Sequence, residues 1–348
     1  MYGDSKTKIQ KIFEKSTKNK HIYESVLLIE NYSGDFSYQL GYGGKNTDTP
    51  FLMASITKLF TSTCILILRE QGKLSLDDKI AKYFEEDTLS SLHIYKGQEY
   101  SKDLTLSHLL FHTSGLPDAI EEGSNKARRR AIYKDRQISI DETIMKTKQL
   151  KPHFAPDIGK RAHYANINFD LLRKIIEIVT DSTLEDVYKQ FIFDPLGLKN
   201  TYLPIEEDDF VPNVYYKDTS FYLPNSIRSI SASGGCISTA RELMIFIKAF
   251  FGGRLFNKTV FHELEMDNKL QIAMSPIHYG AGYMKISLGG LVTLFMGKGE
   301  LLGHLGSTGS FAFYYPASDL FFVGDVNQMA KPALPVRLVM RLAMSIKS

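Results

Sequence analysis

The apolar positions of this chain keep two different periods, and the change between them divides it. Over residues 5–19, Ile9, Ile12 and Phe13 recur at helical spacing among lysines, predicting an amphipathic helix with a solvated basic face. Residues 25–30 and 36–40 are apolar and aromatic runs around Ser33-Gly34-Asp35, a β-hairpin signal. Residues 50–69 read as a loop running into a helix that stops near Gly72. Helices are also predicted over 74–84, opened by Ser75 with Asp77 and Asp78 in its first turn, and over 105–111, 138–150, 167–179 and 184–191. In 167–179 the core spacing is carried by Leu171, Leu172, Ile175, Ile176 and Val179. The stretch from about 75 to 205 therefore reads as almost all helix. Within it, residues 118–136 are polar and basic (Lys126, Arg128, Arg129, Arg130, Lys134, Arg136), which suits a surface helix or flap.

The tail changes character. Residues 233–238 look like the start of a strand, and 240–251 like a helix ended by Gly252-Gly253. Glycine-punctuated, aromatic-rich runs at 279–286, 289–296, 309–315 and 320–326 predict antiparallel strands, and 334–346 a last helix. The implied architecture is α+β: one antiparallel sheet flanked by helices and built from both chain ends (1–74 and 225–348), with a mainly helical lobe (75–224) inserted and a site at their interface.

Composition adds exclusions rather than detail. With 43% hydrophobic and 23% charged residues the 348-residue chain is globular, and a net charge of +3 is too small to imply nucleic acid or an anionic membrane as partner. No apolar run approaches the roughly 20 residues of a membrane span. The lysine-rich first 20 residues lack the apolar core of a signal peptide, so a cytoplasmic location is expected, although a chain whose leader had been removed would read the same. Cys64 and Cys236 lie in apolar contexts and are expected to be buried free thiols.

The candidate chemistry starts at Ser55-Ile56-Thr57-Lys58. Residues three apart share a helix face, so the hydroxyl and the amine can meet. A lysine held out of water can lose its charge and accept the proton of a serine nucleophile. Ser-x-x-Lys alone is weak, and a second copy stands at Ser5-Lys6-Thr7-Lys8. Its company distinguishes Ser55: Tyr164-Ala165-Asn166, the only Tyr-x-Asn among 19 tyrosines, and His304-Leu305-Gly306-Ser307-Thr308-Gly309, just before a predicted strand. No His/Asp/Glu cluster stands at zinc spacing, so neither metal nor cofactor is expected.

At these three points the sequence resembles the serine β-lactamase and penicillin-binding-protein superfamily, most of all its class C-like branch of carboxypeptidases, aminopeptidases and esterases. The order Ser-x-x-Lys, Tyr-x-Asn, His-x-Gly is that of the family. Further familial landmarks stand at Leu109-Leu110-Phe111-His112-Thr113-Ser114-Gly115-Leu116-Pro117, Phe193-Asp194-Pro195-Leu196-Gly197-Leu198 and Tyr279-Gly280-Ala281-Gly282-Tyr283. The resemblance implies a serine hydrolase forming an acyl-enzyme on an amide, ester or β-lactam carbonyl of a small molecule or short peptide. It makes Ser55 the nucleophile, Lys58 and Tyr164 the proton carriers, and Asn166, His304, Gly306 and Ser307 substrate-binding. His112 is implied to be a structural loop residue. His304 departs from the lysine usual in β-lactamases; a neutral imidazole there would relax any need for a substrate carboxylate. The alternative is a non-catalytic penicillin-binding, sensor or binding module that retains the pocket.

Overall fold

The computed structural model describes residues 3–122, 134–156, 161–265, 267–290 and 297–346. Its centre is an antiparallel sheet of β1 (Ser25–Asn31), β2 (Ser37–Tyr42), β3 (Asn268–Lys269), β4 (Ile277–Tyr279), β5 (Met284–Ser287), β6 (Glu300–Leu305), β7 (Ser310–Tyr315) and β8 (Leu320–Asp325). The spatial order is β2-β1-β8-β7-β6-β5-β4-β3, so the N-terminal hairpin joins the C-terminal strands through the β1–β8 pair. Alternation in β1 explains its unbroken apolar run. Val26 and Leu28 enter one core and Leu27 and Ile29 the other, so both faces are covered. In β7 and β8, Ala312, Phe321 and Val323 face the first core, and Phe311, Phe313 and Phe322 the second.

The second core is closed by the two terminal helices, α1 (Gly3–Thr17) with Ile9 and Phe13, and a C-terminal helix (Ala333–Ser345) with Leu338, Val339 and Leu342. Against the first core lies Ala240–Gly252, contributing Phe246 and Phe250. Phe246 stacks on Phe60 of α2 (Thr57–Glu70), ring centroids 3.7 Å apart. From Thr57 to Leu68 every residue of α2 is buried, which makes it the central helix of the molecule. Helices Leu106–Leu110, Ile140–Lys148, Ile167–Thr180 and Leu184–Tyr188 follow at or near the expected places, the first, second and fourth capped by Thr105, Ser139 and Thr183. Cys64 and Cys236 are free and buried.

Several expectations fail for identifiable reasons. Residues 74–84 form only a 3-10 turn, Ile80–Lys82, because the backbone bonds across to the next segment: Ile80 N–H to Leu104, Leu106 N–H to Asp78 and Ser107 N–H to Leu76. Short hairpins, Ile94–Tyr95 with Gln98–Glu99 and Val214–Tyr216 with Thr219–Phe221, interrupt or follow the supposed all-helical stretch. The run 279–286 is two strands rather than one, broken at Gly282, whose φ of +78° no β-strand accepts. A Cβ there would sit 2.1 Å from Ser62 Oγ, so α2 packs against bare backbone. Residues 231–234 are a helical turn before a two-residue strand, Ile237–Ser238, that pairs with Phe51–Leu52. His304 itself lies inside a strand that was not expected, β6, while the motif it opens ends at Gly309, directly before β7 as expected. The expected strand 289–296 falls mostly outside the described residues, as do Lys126, Arg128, Arg129 and Arg130 of the basic stretch.

Candidate active site

The Ser55 turn is held from two sides. Ala54 takes a left-handed φ of +46°, and Ser55 sits in the 3-10 turn Ala54–Ile56 that leads into α2. On one side Met53 N–H donates to Cys236 O at 2.9 Å and Cys236 N–H to Thr57 Oγ1 at 3.1 Å. On the other, the β6–β7 turn is stitched to it: Ser310 Oγ donates to Met53 O at 2.8 Å and Thr308 Oγ1 to Leu52 O at 3.2 Å. Gly306 makes that contact possible. A Cβ on it would lie 2.0 Å from Ser310 Oγ and 2.5 Å from Met53 O, a backbone atom that has little room to retreat. Gly306→Ala is expected to push the two turns apart and lower turnover by about 100-fold, the scale of a 1 Å misplacement. Kinetics on a variant whose circular dichroism matches the parent checks this.

Lys58, one turn after Ser55, is completely buried. Its Nζ donates to Asn166 Oδ1 and to Ser233 O, each at 2.7 Å, and stands 3.4 Å from Ser55 Oγ. It also lies 4.9 Å from the centre of the Tyr164 ring. Burial pulls its pKa down to about 7, opposed by the charges of Asp170 and Asp118. Asp170 is pushed the other way, up to about 7, by the same burial, with Lys58 opposing.

Tyr164 and Asn166 arrive on a loop pinned at each residue. His163 N–H donates to His112 O, Tyr164 N–H to Gln271 Oε1 and Asn166 N–H to Asp118 Oδ2. Asn166 starts the helix Ile167–Thr180, but its side chain makes no cap bond and is free to hold Lys58. The Tyr164 hydroxyl is buried and makes no well-formed hydrogen bond among the described residues. Burial raises its pKa, with the neighbouring Ser55 hydroxyl pulling weakly the other way.

His304 is fully buried, its ring centre 6.1 Å from that of Tyr164. A carbonyl can only accept, so the 2.8 Å contact to Leu305 O puts the ring proton on Nδ1 and leaves Nε2 as an acceptor, 3.4 Å from the Tyr279 hydroxyl. Burial first, and then the charge of Lys58, push its pKa down to about 3, so the ring is neutral near pH 7. A second His-x-Gly stands at His278-Tyr279-Gly280, but its histidine lies on β4, partly exposed and paired with Asp267. The backbone N–H groups of Ser55 and Ser307 donate to no acceptor among the described residues. His112 is buried and accepts from Ala165 N–H and Asn168 Nδ2 through Nδ1.

Ser55, Lys58, Tyr164, Asn166 and His304 thus come together, while Gly306 and Ser307 supply the turn beside them. Reading the sequence missed Asp118, Asp170, Ser233, Gln271 and Tyr279. Only Tyr279 stood in a noticed motif; the others belong to no local pattern.

The beta-lactamase family model matches residues 11–343. The chain belongs to the beta-lactamase family. Among curated relatives, protein flp of Staphylococcus aureus (strain MW2) is 32% identical over 214 residues, 57% of this chain. The match takes in only 38% of the flp protein's own length. A putative D-alanyl-D-alanine carboxypeptidase of Escherichia coli (strain K12) is 25% identical over 324 residues, 83% of this chain and 71% of that protein. Among solved structures, the D-amino acid amidase of Ochrobactrum anthropi SV3 complexed with D-phenylalanine superposes with a TM-score of 0.80 at 21% identity, covering 99% of this chain and 100% of that one. That likeness establishes a shared β-lactamase-like fold for this family member. No helix among its described residues is long and apolar enough to cross a membrane.

Proposed function

We propose that this beta-lactamase family member is a serine hydrolase that works through an acyl-enzyme at Ser55. The observation that carries the reading is the coordination of Lys58. Two of its three contacts, Asn166 Oδ1 and Ser233 O, are carbonyl oxygens that only accept. A neutral amine has two protons, which those carbonyls take, and one lone pair, which is left facing Ser55 Oγ. Burial brings the pKa low enough for that neutral form to be abundant near pH 7.

In this reading Ser55 Oγ attacks the carbonyl carbon of an amide, ester or lactam as its proton passes to Lys58. The N–H groups of Ser55 and Ser307 receive the oxyanion, each such donor contributing about 3–4 kcal/mol in studied hydrolases. Tyr164 hands a proton to the leaving nitrogen or oxygen, is reprotonated by way of Lys58, and later helps a water attack the acyl group. Asn166, His304, Gly306 and Ser307 bind substrate. The cleft lies where a sheet unit (1–74, 225–348) meets a helical unit (75–224). Incubation with a fluorescent penicillin, a p-nitrophenyl ester and a D-amino acid amide, followed by intact mass, tests the proposal. Turnover, or one stable acyl addition per chain at Ser55, supports it. Inertness to all three means a binding module that only retains the pocket.

A neutral His304 offers no fixed cation to a substrate carboxylate, which favours uncharged esters and small peptides. His304→Lys is expected to raise the kcat/KM ratio of a carboxylate-bearing ester over its uncharged analogue by about tenfold or more, the scale of a charge-assisted hydrogen bond. An unchanged ratio would mean that position 304 does not face that end of the substrate.

A further inference from the structure

Away from Ser55, three potential metal ligands converge that no sequence spacing announces. Glu122 stands 31 positions before His153 and 41 before His163. Yet Glu122 Oε2 lies 2.7 Å from His153 Nε2, and Glu122 Oε1 2.6 Å from His163 Nε2. The two imidazoles stack with centroids 3.6 Å apart. One ligand atom from each residue can be chosen so that all three lie within 4.8 Å of one another. We propose that Glu122, His153 and His163 form a binding site for a divalent cation of the zinc class, with the remaining position open to water.

Each ligand is fixed from the same short loop. His163 N–H donates to His112 O at 2.8 Å, His153 N–H to Gly115 O at 2.8 Å, and Glu122 N–H to Asp118 O at 2.9 Å. The carboxylate is oriented as well, because Asp118 N–H donates to Glu122 Oε1 at 2.8 Å. Such outer bonds are what hold metal ligands in place. The donor set, two imidazole nitrogens and one carboxylate, is one that zinc accepts together with a water. A tetrahedral ion about 2.0–2.1 Å from its ligands holds them about 3.3 Å apart, so admitting it asks the carboxylate to draw back by about 0.7 Å. Both histidines would bind as neutral tautomers with the proton moved to Nδ1. His163 is nearly buried, whereas Glu122 and His153 keep 28% and 36% of their side chains exposed, which gives an ion access from solvent.

The location gives the site a consequence. His163 immediately precedes Tyr164, and Asp118, whose N–H holds Glu122, receives the N–H of Asn166 through its side chain. A bound ion would therefore clamp the 112–122 loop to the loop that carries Tyr164 and Asn166. These groups are geometric neighbours whatever reaction Ser55 performs, so the site stands or falls independently of the hydrolase reading.

The test is calorimetric titration of the untagged, chelator-treated full chain with Zn²⁺, repeated with Co²⁺ followed by visible absorption. One ion per chain, with the intense visible bands of four-coordinate Co²⁺, is the expected result. Affinity is expected to fall at least tenfold in both Glu122→Gln and His153→Ala; the second, at a partly exposed side chain, keeps the measurement decisive if the first fails to fold. Absence of stoichiometric uptake, or a drop of less than tenfold in the folded variants, would show a carboxylate merely sharing protons with two histidines and overturn the site.

Discussion

Ser55→Ala is expected to give a folded protein that neither gains mass from a penicillin or ester nor turns either over above about one ten-thousandth of the parent rate. Loss of the nucleophile removes the covalent route altogether and leaves only binding and the oxyanion donors, which act weakly alone. The fold should be indifferent, because among the described residues the Ser55 hydroxyl meets only Lys58 Nζ, at 3.4 Å, and the neighbouring Tyr164 hydroxyl. Intact mass and ester hydrolysis check it; an alanine variant that still acylates would move the nucleophile elsewhere. The parent enzyme's pH profile follows from the same pair. A base must be unprotonated, and Lys58 is held down to about 7, so kcat/KM should climb with pH through an acid limb near 7 and flatten above it. Stability carries the same sign. The folded pKa lies below the ordinary value of 10.5, so between about 7 and 10.5 the unfolded chain binds more protons. This residue's contribution to stability is therefore present above 10.5 and is lost as pH falls toward 7.

Tyr164→Phe should separate function from stability. Catalytically, loss of the phenol is expected to cost about 10²–10⁴ in kcat, the range of a positioned general acid or base. If the same hydroxyl serves deacylation, an acyl adduct at Ser55 should persist longer in the mass spectrum than it does in the parent. Thermally the variant should be at least as stable. The hydroxyl is buried without a well-formed partner, a situation that costs about 1–3 kcal/mol, and phenylalanine removes it. A thermal midpoint higher by about 2 °C or more, together with a crippled kcat, is the expected combination. Unchanged kinetics would remove Tyr164 from the proton path.

Elements whose signals are local were legible from the start. The amphipathic period of Ile167–Thr180 and the Ser33-Gly34-Asp35 turn each act within a few residues. Residues 74–84 carried equally good local signals, yet hydrogen bonds to the 104–107 segment drew that backbone out of a helix. Propensity is worth tenths of a kcal/mol per residue, and a set of tertiary hydrogen bonds outweighs it. Strand β6, with Gly303 inside it, carried no strand signal of its own, and pairing with β5 and β7 makes it extended.

By itself the sequence determined the fold family, the sheet built from both chain ends and the identities of Ser55, Lys58, Tyr164, Asn166 and His304 as a set worth testing. A nucleophile motif must keep its spacing along one helix, so it can be read from a string of residues. Only the tertiary structure decided the charge state of that set. The pKa of Lys58 falls because neighbours far along the chain exclude water, and His304 stays neutral for the same reason. Desolvation belongs to an enclosed volume, and no segment of a chain carries it alone. Contact between Glu122, His153 and His163 is of that kind too: it exists only because backbone hydrogen bonds tie the segments of His153 and His163 to the loop that carries Glu122.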